Sequence, residues 1–348
     1  MKTVRILTGF ARRRVLAAVA VTLGLVLAFP VSAEPFRLVI TDLQPPLVPN
    51  SVMDLAKTLG YFDREGVDVE LVRVQQTPSA VAALQAGEGD MANISVDAAL
   101  QLVAREQASL KAVVSPNKSL PFLIAAKQDI TDPSALSGRS FGIGRVGSLD
   151  HSLSTKVIDA LGGSIDEIDF VAIGQPSVRA QALAAGQIDA TTMSIGVWLA
   201  LPDKEGLHVL VPADDYYKAA PVVNKVNVVP DEVLSTRRDD VVKVVRALVK
   251  ISRDFAAHPE QWVEAMAAAR SDVSTDDLAT LAENFRQSWS INGGLSREEL
   301  EYTQNWLYAT PDFDKLPSLQ LSDWVDFSIA DDVIASEGVA TGFDEPTR

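Results

Sequence analysis

Three stretches carry residues whose types and spacing could do chemistry. GIGRVG at 142–147, followed by Ser148 and His151, sets glycines and an arginine between an apolar run and a helical one. Glycines there let backbone N–H groups point into a cleft. The helix that follows adds unpaired N–H groups and the positive end of its dipole. Arg145 beside such an N-terminus suits a carboxylate, sulfonate or phosphate, because its planar fork can pair two oxygens. A solvated loop charge accounts for the same arginine equally well. The match to the dinucleotide pattern G-x-G-x-x-G goes no further. That fold needs an acidic residue at the end of the next strand, and here the next strand ends Ala172-Ile173-Gly174, with Asp166, Glu167 and Asp169 ahead of it. GRSFG at 138–142 formally matches a nucleophile elbow, but Ser140 begins a strand where an elbow needs a strand-to-helix turn.

The second and third stretches are copies of one another. ALQAGEGDMANIS (83–95) and ALAAGQIDATTMS (182–194) share Ala, Leu, Ala, Gly, Asp and Ser at the same offsets. Gly87 and Gly186 suit the end of a helix. Asp90 and Asp189 then brace the turn, and a strand delivers Ser95 or Ser194 to its carboxyl end. Ligands in open α/β sheets bind beyond those ends. Ser95 with Asp97 therefore lines one wall of a cleft, and Ser194 with Trp198 the other. Trp198 reads as a stacking surface or as core packing. Further polar candidates at the same mouth are Gln44, Asn50 and Ser51 in the Pro-rich QPPLVPNS (44–51), Asn117 and Lys118 in SPNKS (115–119), and Asn224.

The elements that must position these groups alternate. Strand-like runs at 36–42, 67–74, 90–95 and 110–115 are separated by helical spacing at 51–60, 77–87 and 97–106, and the pattern restarts at 139–144, 169–174, 188–194 and 207–212. Such alternation predicts an α/β protein of two lobes, each a mostly parallel sheet flanked by helices. Two apolar stretches, 120–127 and 221–230, read as strands that cross between the lobes and serve as the hinge. The first lobe is then discontinuous, 35–124 plus 222–348, and the second is 125–221. The C-terminal third is helical and is expected to wrap the first lobe. Ser51/Asp54, Ser274/Asp277 and Ser296/Glu299 have capping-box spacing.

Composition removes whole classes of function. A basic start without acids, an apolar run of 15 residues and Val31-Ser32-Ala33 read as a secretory signal peptide over 1–33, too short in its apolar part for a membrane anchor. Without its five Lys/Arg the formal charge falls from −15 to −20, which repels nucleic acid and anionic membrane. Cysteine is absent, so disulfides, thiolate catalysis and Cys-ligated zinc are excluded. His151, His208 and His258 lie far apart, so no metal or other cofactor is expected.

LAKTLGYFDREGVDVELV, LSGRSFGIGRVGS and the two repeated segments resemble periplasmic solute-binding proteins of ABC importers, in the branch that includes sulfonate, taurine and nitrate binders and NMT1/THI5-like proteins. The resemblance covers most of 35–250. It implies the two-lobed type II binding-protein fold, closing by hinge motion over a small organic anion and handing it to a membrane permease. It also implies a periplasmic location, a monomer and no enzymatic activity. By motif, Ser95, Val96 and Asp97 are the first-lobe contacts, and Arg145, Gly147 and Ser148, with His151 one turn on, the second-lobe contacts. The Pro-rich 44–51 loop departs from the family pattern. Thiamine-pyrimidine synthases of related fold use Cys- and His-rich segments, which are missing here. A secreted hydrolase using the cleft and the ligand-binding part of a membrane sensor are the alternatives.

Overall fold

The computed structural model describes residues 34–106, 108–117, 122–342 and 344. The expected signal peptide at 1–33 and Lys118 lie outside the described residues. The first half runs β1 (Phe36–Ile40), α1 (Val52–Thr58), α2 (Tyr61–Arg64), β2 (Val69–Arg73), α3 (Thr77–Gln85), β3 (Met91–Ser95), α4 (Val96–Glu106) and β4 (Leu110–Asn117). The second runs β5 (Phe122–Lys127), β6 (Ser140–Ile143), α5 (Leu149–Ala160), β7 (Asp169–Ala172), α6 (Pro176–Ala184), β8 (Ala190–Ser194), α7 (Ile195–Leu199), β9 (Leu207–Val211) and α8 (Ala213–Ala219). The chain then returns through β10 (Lys225–Pro230) into α9 (Asp231–Thr236), α10 (Arg238–Ala257), α11 (Pro259–Ala269), α12 (Thr275–Asn284), α13 (Arg297–Tyr308), α14 (Leu321–Trp324) and α15 (Phe327–Glu337).

Two five-stranded sheets form, in the orders β2-β1-β3-β10-β4 and β7-β6-β8-β5-β9. The orders correspond position by position. β1 lies parallel to β2 and β3, and β6 lies parallel to β7 and β8. The fourth strand of each sheet is antiparallel to its neighbours: β10 pairs with Ser95 and Asn117 at Lys225, and β5 pairs with Ser194 at Phe122. Each antiparallel strand enters its sheet just after the chain has left the other one. This is the predicted two-lobed α/β arrangement.

The central strands are apolar on both faces because helices cover both faces. Phe36, Leu38, Ile40 and Met91 pack with α1 and with the Val241, Val245, Leu248 stripe of α10, while Leu123, Leu183 and Met193 form a smaller cluster in the second lobe. Gly87 and Gly186 end α3 and α6 with φ of 71° and 72°, a conformation that glycine adopts without a Cβ penalty. The repeated aspartates tie the turn that follows to the first strand of the sheet. Asp90 accepts from the Arg37 N–H at 2.8 Å and pairs with the Arg37 guanidinium at 3.0 Å. Asp189 accepts from the Ser140 N–H at 2.9 Å and pairs with Lys127 at 2.7 Å.

Some local expectations are corrected. Ser274 and Ser296 cap α12 and α13, accepting from the N–H groups of Asp277 and Glu299. Ser51 caps nothing, because its hydroxyl accepts from Trp262 Nε1 at 2.9 Å and Asp54 turns to Arg73 at 2.5 Å. α12 stops at Asn284, and the chain then turns so that Phe285 and Trp289 both reach the Trp262 ring, with centroids 5.7 and 6.2 Å away. Among the C-terminal helices, α10 and α15 pack on the first sheet's side. α13 also reaches the second lobe: the Lys156 ammonium of α5 lies over the Tyr302 and Trp306 rings.

Candidate ligand-binding site

The carboxyl ends of the parallel strands define one edge of each sheet. At the first edge stand Thr41 and Asp42 after β1, Arg73 at the end of β2, Ser95 at the end of β3 and Lys225 at the start of β10. At the second stand Gly144 and Arg145 after β6, Ile173 to Gln175 after β7, Ser194 at the end of β8 and Phe122 at the start of β5. The lobes meet along these edges. Gln175 Nε2 donates to the Gln75 carbonyl at 3.2 Å, and Gly196 packs on Leu47. Asp97 feels the charge of Arg145 from the opposite lobe.

On the first wall, Asp97 is 3 % exposed in the first turn of α4. Asp97 Oδ1 has no hydrogen-bond partner among the described residues. Burial pushes its pKa above the usual carboxylate range, and Ser95 and Arg145 pull against that. Asn224 and Val96 are both buried, and the Val96 N–H donates to the Asn224 carbonyl at 3.1 Å, so these two fasten β10 to the start of α4.

Next to them is a residue that the sequence pattern passed over. The Lys225 ammonium donates to Thr41 Oγ1 at 2.5 Å. No carboxylate among the described residues lies within 4.0 Å of it. Burial lowers its pKa, with Asp42 acting in the opposite direction. Asp42 is itself pushed up by burial and held back by Lys225, Arg73 and Arg270. Its sequence signal is a lone cation inside the apolar stretch PVVNKVNVVP, one position after the candidate Asn224.

Asn50 and Ser51 are bonded inside the first lobe. Both are within 1 % of full burial. Asn50 Nδ2 donates to Asn93, whose own amide donates to Asn227, making a polar ladder inside the first lobe. Gln44 is exposed on the loop ahead of them, and that loop is tied down by Arg270, which donates to the Pro45 carbonyl at 3.0 Å. Asn117 ends β4 opposite Lys225; its side chain is outside the described residues.

On the second wall the glycine loop is already spent. Asp150, in the first turn of α5, accepts from the Gly144 N–H at 2.7 Å and from the Ser148 hydroxyl at 2.5 Å, and the buried Arg179 stands 3.5 Å from it. The Gly147 N–H donates to His151 Nδ1 at 3.1 Å, which leaves the ring proton on Nε2. Burial lowers the His151 pKa, and its ring packs edge-on against Phe170. The chain's own carboxylate thus takes one N–H group of the glycine loop, that of Gly144. Of the four residues expected there, Arg145 alone has a side chain with no hydrogen bond or ion pair among the described residues, and it is exposed.

The remaining two candidates are structural in their contacts. Ser194 accepts from the Val197 N–H at 3.2 Å and caps α7. Trp198 packs on the small second-lobe cluster, and the Lys204 ammonium covers its ring at 5.6 Å. The described histidines bond to Gly147 and the Ile130 carbonyl or pair with Glu260, and none is bonded to a hydroxyl.

Comparison with known proteins agrees with this architecture. The model of the family described as NMT1/THI5 like matches residues 52–262. No curated protein sequence matches the chain. Among solved structures, the ligand-binding component of an ABC-type import system from Staphylococcus aureus superposes with a TM-score of 0.69 at 18 % identity, over 86 % of this chain and 99 % of that one. The periplasmic aliphatic sulphonate binding protein SsuA from Escherichia coli gives 0.64 at 15 % identity, over 85 % and 92 %. The desulfurization enzyme DSZB gives 0.58 at 17 % identity, over 86 % and 99 %. The same fold thus serves binding proteins and an enzyme.

Proposed function

The chain belongs to the NMT1/THI5-like family, and on that premise we propose that it is the periplasmic solute-binding component of an ABC importer. It takes a small organic anion, of carboxylate or sulfonate type, into the cleft between the sheet edges. It closes by bending at the two crossing connections and delivers the ligand to the permease. The lobes that move are 35–124 with 222–348, and 125–221. The signal peptide exports the chain, and it works as a monomer without catalysis. The solved binding proteins of this fold support the class of function.

The observation that carries the anion is Lys225. An ammonium that has lost much of its hydration and bonds to one hydroxyl keeps N–H groups for an acceptor, and a charged acceptor recovers the most desolvation energy. Arg145 offers a second, flexible cation from the other lobe. In the glycine loop, by contrast, the Gly144 N–H is already given to Asp150 and the Gly147 N–H to His151. No described histidine is bonded to a hydroxyl, so a hydrolase of the Ser-His kind finds no support in their bonding. A thermal-shift panel of carboxylates, sulfonates, nitrate and aromatic acids tests the reading. Anions should raise the melting temperature without being consumed; a response confined to cations or neutral sugars would refute it.

A further inference from the structure

His151 stands where three elements meet. From the glycine loop, the Gly147 N–H donates to its Nδ1 at 3.1 Å. From β7, Phe170 meets the ring edge-on, with centroids 4.7 Å apart. From the turn after α13, Asp312 presses on Gly147 itself: a Cβ on that glycine would overlap Asp312 Oδ2 and stand 2.8 Å from its Cγ. Arg105 of α4, in the first lobe, fixes this turn by donating to the Asp312 carbonyl at 2.9 Å. The Asp312 carboxylate has no hydrogen bond or ion pair among the described residues. Two charges act on the ring and both are negative, Asp150 on its own helix and Asp312 in the C-terminal segment. The cations of the neighbouring elements are Arg145 in the glycine loop and Arg179 on α6, and Arg179 is turned to Asp150.

We infer that His151 is a pH-sensitive latch on the glycine loop: neutral, it fastens the loop through Gly147; protonated, it releases Gly147 and turns to Asp312. Nδ1 accepts from Gly147 only while it carries no proton. A proton there sets one N–H against another, and the bond becomes a repulsion. Asp312 already acts on the ring and has no other partner, so it is the acceptor that an imidazolium attracts. Burial lowers the His151 pKa, and the two carboxylates oppose that. The neutral form therefore prevails above the ordinary histidine value of 6.5, and the latch opens as the pH falls below it. Resting on the solute-binding reading above, the same step lowers ligand affinity in acid, because Arg145 rides on the loop just ahead of Gly147.

The test is a pH titration of the isotope-labelled full mature chain, from about pH 7.5 to 4.5, followed by NMR. The His151 ring should start with its proton on Nε2 and titrate with a midpoint below 6.5, and the Gly147 amide should move with the same midpoint. A Gly147 amide that ignores the ring's titration overturns the latch, and this comparison needs no variant. His151→Asn keeps an oxygen acceptor near the place of Nδ1 but does not titrate, so it should remove the acid transition from the Gly147 amide; a transition that persists also overturns the latch. Asp312→Asn should lower the midpoint further, because a carboxylate that favours the imidazolium is gone; an unmoved midpoint overturns the turn to Asp312. Calorimetry with ethanesulfonate, which keeps its charge throughout, reads the consequence for binding. Its affinity should fall roughly two- to tenfold between about pH 7.5 and 5, the worth of one hydrogen bond, and stay level in His151→Asn. An equal fall in the variant assigns the acid loss to Asp42, Asp97 or Lys225 and overturns the control of binding. Absence of binding at both pH values counts against the solute-binding reading, while the spectra decide the latch.

Discussion

Gly196 of the second lobe lies so close to Leu47 of the first that a Cβ on the glycine would stand 2.3 Å from the leucine Cβ and 2.6 Å from its carbonyl oxygen. The lobes approach here by the absence of a side chain. The Pro-rich 44–51 loop carries Leu47, and Arg270 and the Asn50–Asn93 bond hold that loop in place. The contact is therefore held firmly on the first-lobe side. Gly196→Val should wedge the lobes apart, with overpacking of about 1–3 kcal/mol acting against the closed arrangement. Small-angle scattering should show a larger radius of gyration and calorimetry a weaker ligand. The double variant with Leu47→Ala should recover part of both. Unaltered scattering and affinity would show that the contact has no part in closure.

Lys225→Met keeps the length of the side chain and removes the ammonium. Affinity for an anionic ligand should fall at least tenfold. The ligand-free protein should keep its melting temperature or gain a little, because a desolvated cation has been replaced by an apolar group. Arg145→Ala should cost less, since that guanidinium is exposed in the free protein. A Lys225→Met protein that binds anions normally would place the site elsewhere.

The two repeated serines should separate by experiment. Ser194→Ala removes the cap of α7 and should cost about 1 kcal/mol of stability with little effect on ligand affinity. The Ser95 side chain holds the Asp97 pKa down against burial at the cleft edge, and Ser95→Ala should change affinity more than stability. Denaturant melts beside calorimetry read both quantities, and matching profiles for the two variants would restore equal roles.

Asp189 governs part of the acid stability. Burial raises its pKa, but bonds from Lys127 and Ser140 outweigh burial and bring it down to about 2. A depressed folded pKa adds stability above the unfolded value near 3.8, and that contribution is lost as the pH falls through about 2. Asp189→Asn should lower stability at neutral pH by about 1 kcal/mol, after allowing for the solvent that reaches the partly exposed Lys127. The difference from the wild type should shrink between pH 4 and 2. A constant difference across that window would mean that the aspartate acts through its shape alone.

Much of the architecture was legible because it rests on local rules. Alternating runs, the glycines that end α3 and α6, and the aspartates that follow them are set by periodicity and turn chemistry within a dozen residues. The repeat carried the equivalence of the two sheets. Where the reading departed from the structure, a distant residue had the deciding vote. Ser51 has the spacing of a cap, but Trp262, 211 positions away, claims its hydroxyl. The glycine loop has the look of an anion site, but one of its N–H groups, that of Gly144, is given to Asp150, which Arg179 approaches at 3.5 Å.

By itself, then, the sequence determined two α/β lobes, their order of elements and the edge at which each strand would end. The tertiary structure alone decided which polar groups at that edge are still free. Hydrogen-bond satisfaction depends on every partner within reach, and reach is set by packing across the whole chain. Lys225 meets Thr41 from 184 positions away, and only there does it become a cation with donors left to give.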